Sequence, residues 1–406
     1  MNKPMRHGYW GQSVDHRDLL KKIEAIGPLL QENAEADDAA SELTDETFEA
    51  LRPLRMSHVL APEELGGAQL PPRQVLELIE AITWHSGSAG WVSMVHACIG
   101  GMSAAFLPDT AVARLFADGT DNRFSGQGAP FGMLKKVDGG YQLSGRWSYG
   151  SGFSHATWSH SAAFVDDGTG KPQKDANGEP VIMCVHAPIE EHEQLGNWDV
   201  LGLKGSGSID YSAEELFIPD DLTFPIANAE PQRLKELFGL GVIGLAAIGH
   251  TGWAMGAARR MLDEIAEFAR TKSGRAGLLG ESEKFWHDYG RAEARVRAAR
   301  AFAMDVWRDI EATVEAGQSV TTRQISMVHL AKSEVHEAGE AACNFAYRAA
   351  GGASLRAGTM QRLFRDMMVA VNHITIAPGI VASAGREIGG LWSDRVWKFY
   401  DLVEPK

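Results

Sequence analysis

The chain has 406 residues, 44% of them hydrophobic and 23% charged, and is therefore long enough for two or three packed domains of a globular protein. Its formal net charge of −14 argues against a nucleic-acid partner, which would need a basic face. No apolar run reaches the roughly 20 residues that cross a bilayer, and Met1–Trp10 lacks the apolar segment of a signal peptide. We expect a cytoplasmic protein without a membrane segment.

The first segment, residues 1–122, has the period of amphipathic helices. Apolar residues from Leu19 to Leu30 recur at three- and four-residue spacing and form one stripe. A turn is expected at Ala61–Gly67, and the helical pattern resumes at Gln74–Trp84 and Ala89–Phe106. We predict an N-terminal helical domain.

The second segment, residues 123–228, changes to short β-prone runs. Tyr141–Leu143 and Val181–Val185 are examples, and turn signals such as Asp138–Gly140 and Asp166–Gly170 separate the runs. This pattern predicts a small antiparallel β-barrel or sandwich as the central domain.

The third segment, residues 229–406, returns to helices. Leu237–Glu267, Glu283–Ala316 and Thr321–Ala350 are long stretches of good helix formers, and a final helix is expected from Met360. Long antiparallel helices of this kind predict a C-terminal four-helix bundle. The predicted fold class is therefore α+β, mainly α.

Common sites are excluded by their missing motifs. The chain lacks the GxGxxG and P-loop patterns, which argues against a Rossmann dehydrogenase and an NTPase. His155 and His160 have no acidic cluster near them in sequence, so we predict no metal site. The cysteines Cys98, Cys184 and Cys343 are widely spaced and odd in number, which predicts buried core residues and no disulfides.

Two clusters in the β segment combine a large aromatic residue with glycines and hydroxyls. They are Ser144–Gly152 and Asn197–Ser208. Glycines let the backbone approach a ligand closely, and hydroxyls bind a polar edge, so a flat heteroaromatic cofactor would fit such a surface. Each cluster taken alone is equally typical of a hairpin turn with a packing tryptophan.

Both clusters, with Ala129–Gly132 before them and Arg362–Asp366 near the end, resemble the acyl-CoA dehydrogenase superfamily in the same motif order. The resemblance is to its two-component flavin monooxygenase branch, which includes the oxygenase components of p-hydroxyphenylacetate hydroxylase, secosteroid hydroxylase and dibenzothiophene monooxygenase. It implies a homotetramer of three-domain subunits, with flavin between the β domain and the bundle.

The stretch Met367–Ile376 separates the branches of this superfamily. Dehydrogenases commonly place a glutamate base here to remove a proton beside the flavin, but this stretch has no carboxylate. Some dehydrogenases carry the base on an earlier helix, so that activity remains the alternative. His373 resembles the substrate-site histidine of the hydroxylating branch, where it would share a phenol or indole proton. The alternative is that His373 lies on a helix face and only forms a hydrogen bond with a neighbouring residue, without a role in catalysis.

The resemblance also implies roles near the flavin. Ser151 matches the serine that bonds flavin N5 and stabilises the C4a-hydroperoxide, although a turn hydroxyl would look the same. The histidine of related oxygenases falls nearest to Cys98, whereas His96 lies two residues earlier, about 200° around a helix. Either residue could face the flavin, and His96 is the candidate catalytic group.

The remaining candidate residues follow from the same resemblance. Arg275 lies where relatives bind the flavin phosphate, for which a guanidinium is suited, although a solvated basic face fits equally. The expected cofactor-binding residues are Trp147, Ser151, Trp198, Ser206, Gly207, Ser208, Arg275, Gly351 and Gly352. The expected substrate-pocket residues are Trp84, Trp91, Cys98 and Thr375.

The predicted function is that of an oxygenase component. A separate NAD(P)H-dependent reductase would supply reduced FAD or FMN by diffusion, and the flavin would react with O2 to form the C4a-hydroperoxide. The distal oxygen would then hydroxylate a phenol- or indole-like ring. The alternatives are an acyl-CoA dehydrogenase-type flavin oxidoreductase and a non-catalytic flavin-fold binding protein.

Overall fold

The structure is a computed structural model that describes residues 8–117, 120–226, 230–271, 273–274 and 277–404. The described N-terminal residues form helices α1 His16–Ala40, α2 Asp45–Leu51, α3 Pro72–His85, α4 Gly87–Phe106 and α5 Asp109–Leu115. Asp15 caps α1, because its side chain accepts from the Arg17 amide, and Thr44 caps α2 in the same way.

Helix α4 is the central helix of the N-terminal part. It is long and apolar enough to span a bilayer, with a mean hydropathy of 1.2, but 94% of it is buried inside the protein. Its small residues permit close packing: a Cβ on Gly100 would lie 2.1 Å from the Ser57 carbonyl oxygen. The helix is therefore a core element, and its face toward the β strands positions the site described below.

The central residues form one seven-stranded sheet. Its strands are β1 Phe124–Val137, β2 Gly140–Gly150, β3 Trp158–Val165, β4 Ile182–Val185, β5 Glu193–Gly196, β6 Ile209–Pro219 and β7 Thr223–Pro225. Their spatial order is β5-β6-β2-β1-β3-β4-β7.

The sheet differs from the predicted antiparallel arrangement in one pairing, because β1 and β3 are parallel. Strand β2 returns along one edge of β1, and the chain then crosses to the other edge of β1 through residues 151–157. Strand β3 consequently starts at the same end as β1 and runs in the same direction. The turn that makes this crossing carries Ser151, so the topology itself places that serine at the end of the sheet.

The helical C-terminal part contains α6 Lys235–Phe238, α7 Gly241–Thr271, α8 Glu283–Glu315, α9 Thr322–Ala350, α10 Thr359–Ala370 and α11 Pro378–Ile388. Two short strand pairs accompany these helices: β8 Ser273–Gly274 with β9 Gly277–Leu278, and β10 Val396–Lys398 with β11 Asp401–Val403. A capping box between Thr321 and Gln324 starts α9.

Helices α3, α4, α8 and α9 pack against α7, so the N-terminal helices continue the C-terminal bundle into one core. The helical, β and helical order agrees with the predicted mainly α, α+β fold class. The boundaries 1–122, 123–228 and 229–406 stay predictions. All three cysteines are buried and free, as predicted.

Candidate functional site

Ser151 ends a chain of hydrogen-bonded hydroxyls where the β sheet meets α4. Its Oγ lies 2.7 Å from Ser208 Oγ, which in turn lies 2.7 Å from Ser206 Oγ. The indole Nε1 of Trp91 donates to the same Ser151 Oγ over 3.0 Å. All four side chains are buried. The structure thus brings together residues from both glycine-rich clusters and from α4.

One hydrogen bond of this chain has a fixed direction. An indole N–H can only donate, so Ser151 must accept from Trp91. If Ser206 donates to Ser208 and Ser208 donates to Ser151, the Ser151 hydroxyl proton is left free for a ligand. The arrangement can therefore present one hydrogen-bond donor at the end of the sheet.

Several large apolar side chains of the β segment and of the turn after α10 are exposed. Phe131, Tyr149, Leu201 and Ile374 are each more than half exposed. Tyr149 lies edge-on to the half-buried Trp198, with ring centroids 6.1 Å apart. Exposed aromatic and aliphatic side chains in such numbers are typical of a surface that binds a ligand or partner.

The first part of β1 is paired irregularly. The ladder with β2 begins only at Gly132, and the register with β3 shifts on both sides of Pro130. Residues 128–131 therefore lie outside the ladder to β2, although the Ala129 amide donates to Gln127 Oε1 over 3.1 Å, and Gly128 has open space where a Cβ would stand. A serine donor and exposed apolar side chains are groups that fit an isoalloxazine ring, whose face is apolar and whose edge is polar.

His373 lies at the end of α10 and is held by Thr375. The Thr375 amide donates to His373 Nδ1 over 3.3 Å, and the Thr375 hydroxyl lies 2.9 Å from the same nitrogen. Because an amide N–H can only donate, Nδ1 carries the lone pair and the proton of the neutral ring is on Nε2. Burial, with a smaller effect of the nearby Lys332, lowers the pKa of His373 to about 4. His373 is therefore a neutral ring that offers an N–H donor at neutral pH.

Aromatic and imidazole rings connect His373 to Ser151. The ring of Trp91, which donates to Ser151, lies 5.8 Å edge-on from His373 and 5.3 Å from Trp253. His250 on α7 lies 5.4 Å from Trp91 and 4.4 Å from His373. Trp91 comes from α4 and Trp253 from α7, which are far apart in sequence. Their two indoles form an apolar wall, and the imidazoles of His250 and His373 lie against it.

Behind His250, helix α9 contributes a buried basic stripe that the sequence analysis missed. His329, Lys332 and His336 are each at most 1% exposed, and the His250 and His336 rings lie 6.2 Å apart. Their spacing of three and four residues places them on one face of α9. The spacing of these basic residues on the apolar face of the helix is the signal that could have identified them.

Asp366 fastens the second glycine-rich cluster to the bundle. Its Oδ1 accepts from the Leu203 amide at 2.6 Å, and a Cβ on Gly202 would lie 2.3 Å from the Arg365 carbonyl oxygen. Arg365 itself donates to the Leu201 carbonyl. Burial raises the pKa of Asp366 to about 7. Residues 201–203, next to the serines of the hydroxyl chain, are thereby held against α10.

We predict that Asp366→Ala lowers the free energy of unfolding by about 1–3 kcal/mol, because the buried Leu203 amide loses its acceptor. Asp366→Asn keeps an acceptor oxygen and serves as the matched control, with a clearly smaller loss. Urea unfolding followed by tryptophan fluorescence measures both variants. Equal losses in the two variants would contradict the role assigned to the Leu203 hydrogen bond.

Several predicted site residues lie elsewhere. Trp147 is fully buried in the sheet core, stacks on Tyr211 and donates to the Ala162 carbonyl, so packing prevents its side chain from facing a cofactor. Trp84 donates to Asp263 on α7 and lies beneath the Arg260 guanidinium, apart from the Trp91 and His373 rings.

The two α4 candidates point to different neighbours. His96 packs near Gly152, the residue after Ser151, and burial lowers its pKa to about 3. Cys98 contacts α7, where its Sγ lies 3.5 Å from the Leu245 carbonyl oxygen. His96 is thus the one beside the Ser151 turn, and its role there stays a prediction.

The remaining candidates lie at the edges of the site. Gly351 and Gly352 are exposed at the end of α9, where Gly351 has a φ of 57°. Gly207, with a φ of 51°, lies between Ser206 and Ser208 and lets both hydroxyls turn toward Ser151. Arg275 lies outside the described residues.

The comparisons with known proteins agree with this geometry. Residues 248–378 match the family described as acyl-CoA dehydrogenase, C-terminal domain. The chain is 28% identical to a pigment production hydroxylase of Rhodococcus erythropolis, over 90% of this chain and 95% of that one. It is 29% identical to an indole-3-acetate monooxygenase of Acinetobacter baumannii, over 78% and 79% of the two chains.

A solved structure has the same fold. XiaF from Streptomyces, determined in complex with FADH2 and glycerol, superposes with a TM-score of 0.83 at 19% identity, over 92% of this chain and 96% of that one. The C-terminal helices thus match the acyl-CoA dehydrogenase family, and the chain as a whole is similar to hydroxylases and to oxygenase subunits of flavin-dependent monooxygenases.

Proposed function

We propose that this enzyme hydroxylates an aromatic small molecule, phenol- or indole-like, with reduced FAD or FMN and O2. The flavin, when bound, supplies the reduced ring that activates oxygen for transfer. The observation that carries the proposal is that the Ser151 hydroxyl and the His373 imidazole both contact the Trp91 side chain. Among the described residues, the titratable groups that shift the pKa of His373 and of its neighbour His250 are histidines and Lys332, with no carboxylate that could act as a dehydrogenase base.

Each residue has a distinct part in this proposal. Ser151 donates its hydroxyl proton to the polar edge of the flavin, and Trp91 holds the Ser151 oxygen in place by donating to it. His373 donates Nε2–H to the oxygen or nitrogen of the substrate ring, and Thr375 keeps the imidazole in that tautomer. Trp91 and Trp253 form an apolar wall that orients an aromatic ring and excludes water.

The partners follow from the same chemistry. The enzyme works with a separate NAD(P)H-dependent flavin reductase, and we propose that flavin reaches it by diffusion. We also propose a homotetramer in the cytoplasm, for which the exposed apolar side chains Leu355 and Leu391 offer contact area. The likeness to an indole-3-acetate monooxygenase supports indole-like rings as one substrate class.

The test measures how much of the consumed O2 appears as hydroxylated product and how much as hydrogen peroxide. Ser151→Ala is expected to shift most of the oxygen to peroxide, because loss of a buried donor to the flavin costs about 1–3 kcal/mol. Ser212→Ala is the control, since its hydroxyl bonds Glu193 on the exposed outer part of β6. Assays would use phenol and indole with chemically reduced FAD and FMN.

Three outcomes would count against the proposal. The first is a Ser151→Ala variant that hydroxylates the substrate with as little hydrogen peroxide as the wild type. The second is electron transfer from acyl-CoA thioesters without any hydroxylation, which would favour the dehydrogenase alternative. The third is a wild type that binds neither redox state of FAD or FMN, which would favour the non-catalytic alternative.

A further inference from the structure

Lys332 on α9 is fully buried, and its environment contains basic groups instead of a counter-ion. Its Nζ lies 3.4 Å from His329 Nδ1. Within the described residues, the titratable groups that sense its charge are His250, His329, His336 and His373, and none is a carboxylate. Burial lowers the pKa of Lys332 to about 7. His329 offers at most a neutral acceptor, and the charged form of a buried amine is costly unless an anion compensates it.

The histidines around Lys332 are also incompletely bonded. Across the part of the chain that the structure describes, His250 Nδ1, His329 Nε2 and His336 Nε2 are buried and have no hydrogen-bond partner. Buried polar groups are almost always bonded, so three such nitrogens in one cluster are unusual for a purely structural core. They point to a polar ligand atom as their partner.

This cluster is continuous with the predicted substrate site. His250 lies between the two, 6.2 Å from the His336 ring and 4.4 Å from the His373 ring. His373 offers its Nε2–H as a donor, because Nδ1 accepts from Thr375. A ring held against Trp91 would therefore have a donor and a basic group beside its polar substituent.

We propose that the substrate has an acidic oxygen, and that this oxygen binds as an anion to the cluster of His250, Lys332, His336 and His373 with Lys332 as its counter-ion. The inference rests on the proposed function, because it assumes that the aromatic ring lies at Trp91 and His373. For a phenol, the proton leaves the oxygen and ends on Lys332 Nζ, and no electron is transferred. The resulting phenolate ring is richer in electrons, which favours hydroxylation. A carboxylate enters already ionised and pairs with the protonated form of Lys332, whose proton comes from the buffered bulk solvent.

The first test uses the wild-type chain and 4-nitrophenol, whose phenolate absorbs visible light much more strongly than the neutral phenol. At a pH where free 4-nitrophenol is mostly neutral, binding is expected to produce the phenolate spectrum. The methyl ether 4-nitroanisole cannot ionise and should bind at least about tenfold more weakly, since hydrogen bonds to charged groups are strong. Equal affinity for both compounds would overturn the proposal.

The second test replaces the lysine. Lys332→Met is expected to weaken 4-nitrophenol binding roughly ten- to hundredfold and to leave the bound probe as the neutral phenol. Lys284→Met is the control, because Lys284 is exposed and pairs with Asp288 on the surface of α8. A Lys332→Met variant that binds the phenolate as well as the wild type does would overturn the proposal.

Two further measurements separate the possible explanations. If Lys332 had a purely structural role, its replacement would lower the stability of the protein. If it is an anion site, the Lys332→Met variant should unfold at the same or a higher urea concentration than the wild type, because an uncompensated buried amine is removed. Tighter binding of 4-nitrobenzoate than of 4-nitrophenol, lost in Lys332→Met, would support the anion site and identify a carboxylate as the oxyanion. These binding measurements need no turnover, so absence of hydroxylation with intact anion binding would contradict the proposed function alone.

Discussion

His373→Ala is expected to lower the rate of product formation by on the order of a hundredfold or more, with flavin oxidation continuing. The alanine removes the Nε2–H donor that meets the polar substituent of the substrate, while Ser151 and its hydroxyl chain stay in place. The oxygen consumed should then appear as hydrogen peroxide. Product and peroxide are measured in the same reaction with reduced FAD and with FMN.

The control for this prediction is Thr375→Val, which keeps the imidazole but removes the hydroxyl that contacts Nδ1. Its backbone amide still donates to His373, so we expect a loss of about tenfold or less. A His373→Ala enzyme with wild-type product yield would mean that His373 only packs against His250. A Thr375→Val enzyme as impaired as His373→Ala would mean that the hydroxyl itself is the substrate contact.

Acidification is expected to unfold the protein steeply between about pH 6.5 and pH 4. Burial lowers the pKa of ten of the thirteen histidines in the described residues below the ordinary value. They are His58, His85, His96, His160, His186, His192, His250, His329, His336 and His373. A histidine that is neutral when folded and protonated when unfolded stabilises the fold fully above pH 6.5 and loses that contribution as the pH falls.

The magnitude follows from the number of protons taken up on unfolding. Each such histidine adds about 1.4 kcal/mol per pH unit to the slope of the unfolding free energy. Three buried carboxyls, Asp37, Glu311 and Asp366, have raised pKa values and act in the opposite direction, since they are protonated more readily when folded. Because ten groups oppose three, we expect the loss of stability on acidification to dominate.

Urea unfolding at several pH values, followed by circular dichroism, measures this slope. His58→Phe removes one group whose pKa burial lowers to about 4, so its slope should be shallower by one proton. His287→Gln is the control, because that side chain is 69% exposed on α8. A free energy of unfolding that is the same at pH 6.5 and pH 5 would contradict the prediction.

The helices could be predicted because their apolar periodicity and their breaks are local. The pattern at Glu283–Ala316 corresponds to α8 at Glu283–Glu315, and that at Thr321–Ala350 to α9 at Thr322–Ala350. The parallel pairing of β1 with β3 was not predicted, because it depends on which edge of β1 the chain reaches after a seven-residue crossing. Short-range patterns carry no information on that choice.

The site was only partly predictable for a similar reason. Ser151 and Ser208 belong to glycine-rich clusters that stand out in the sequence, and the structure joins them. His250 and Lys332 lie inside long helices, and only the packing of α7 against α9 brings them beside His373. Strand alternation turns the Trp147 side chain into the core, an orientation that its cluster of glycines and hydroxyls does not indicate, and its cofactor contact stays a prediction.

Trp91 makes the two halves of the site dependent on each other. Its N–H is committed to Ser151 on the flavin side, while its ring forms the wall beside His373 on the substrate side. A substrate that shifts this ring changes the hydrogen bond offered to the flavin, and a bound flavin restrains the ring that the substrate meets. Thermodynamic reciprocity then requires that each ligand alter the affinity of the other by the same factor. The coupling between the binding of the substrate and of the reduced flavin would therefore act through one indole side chain.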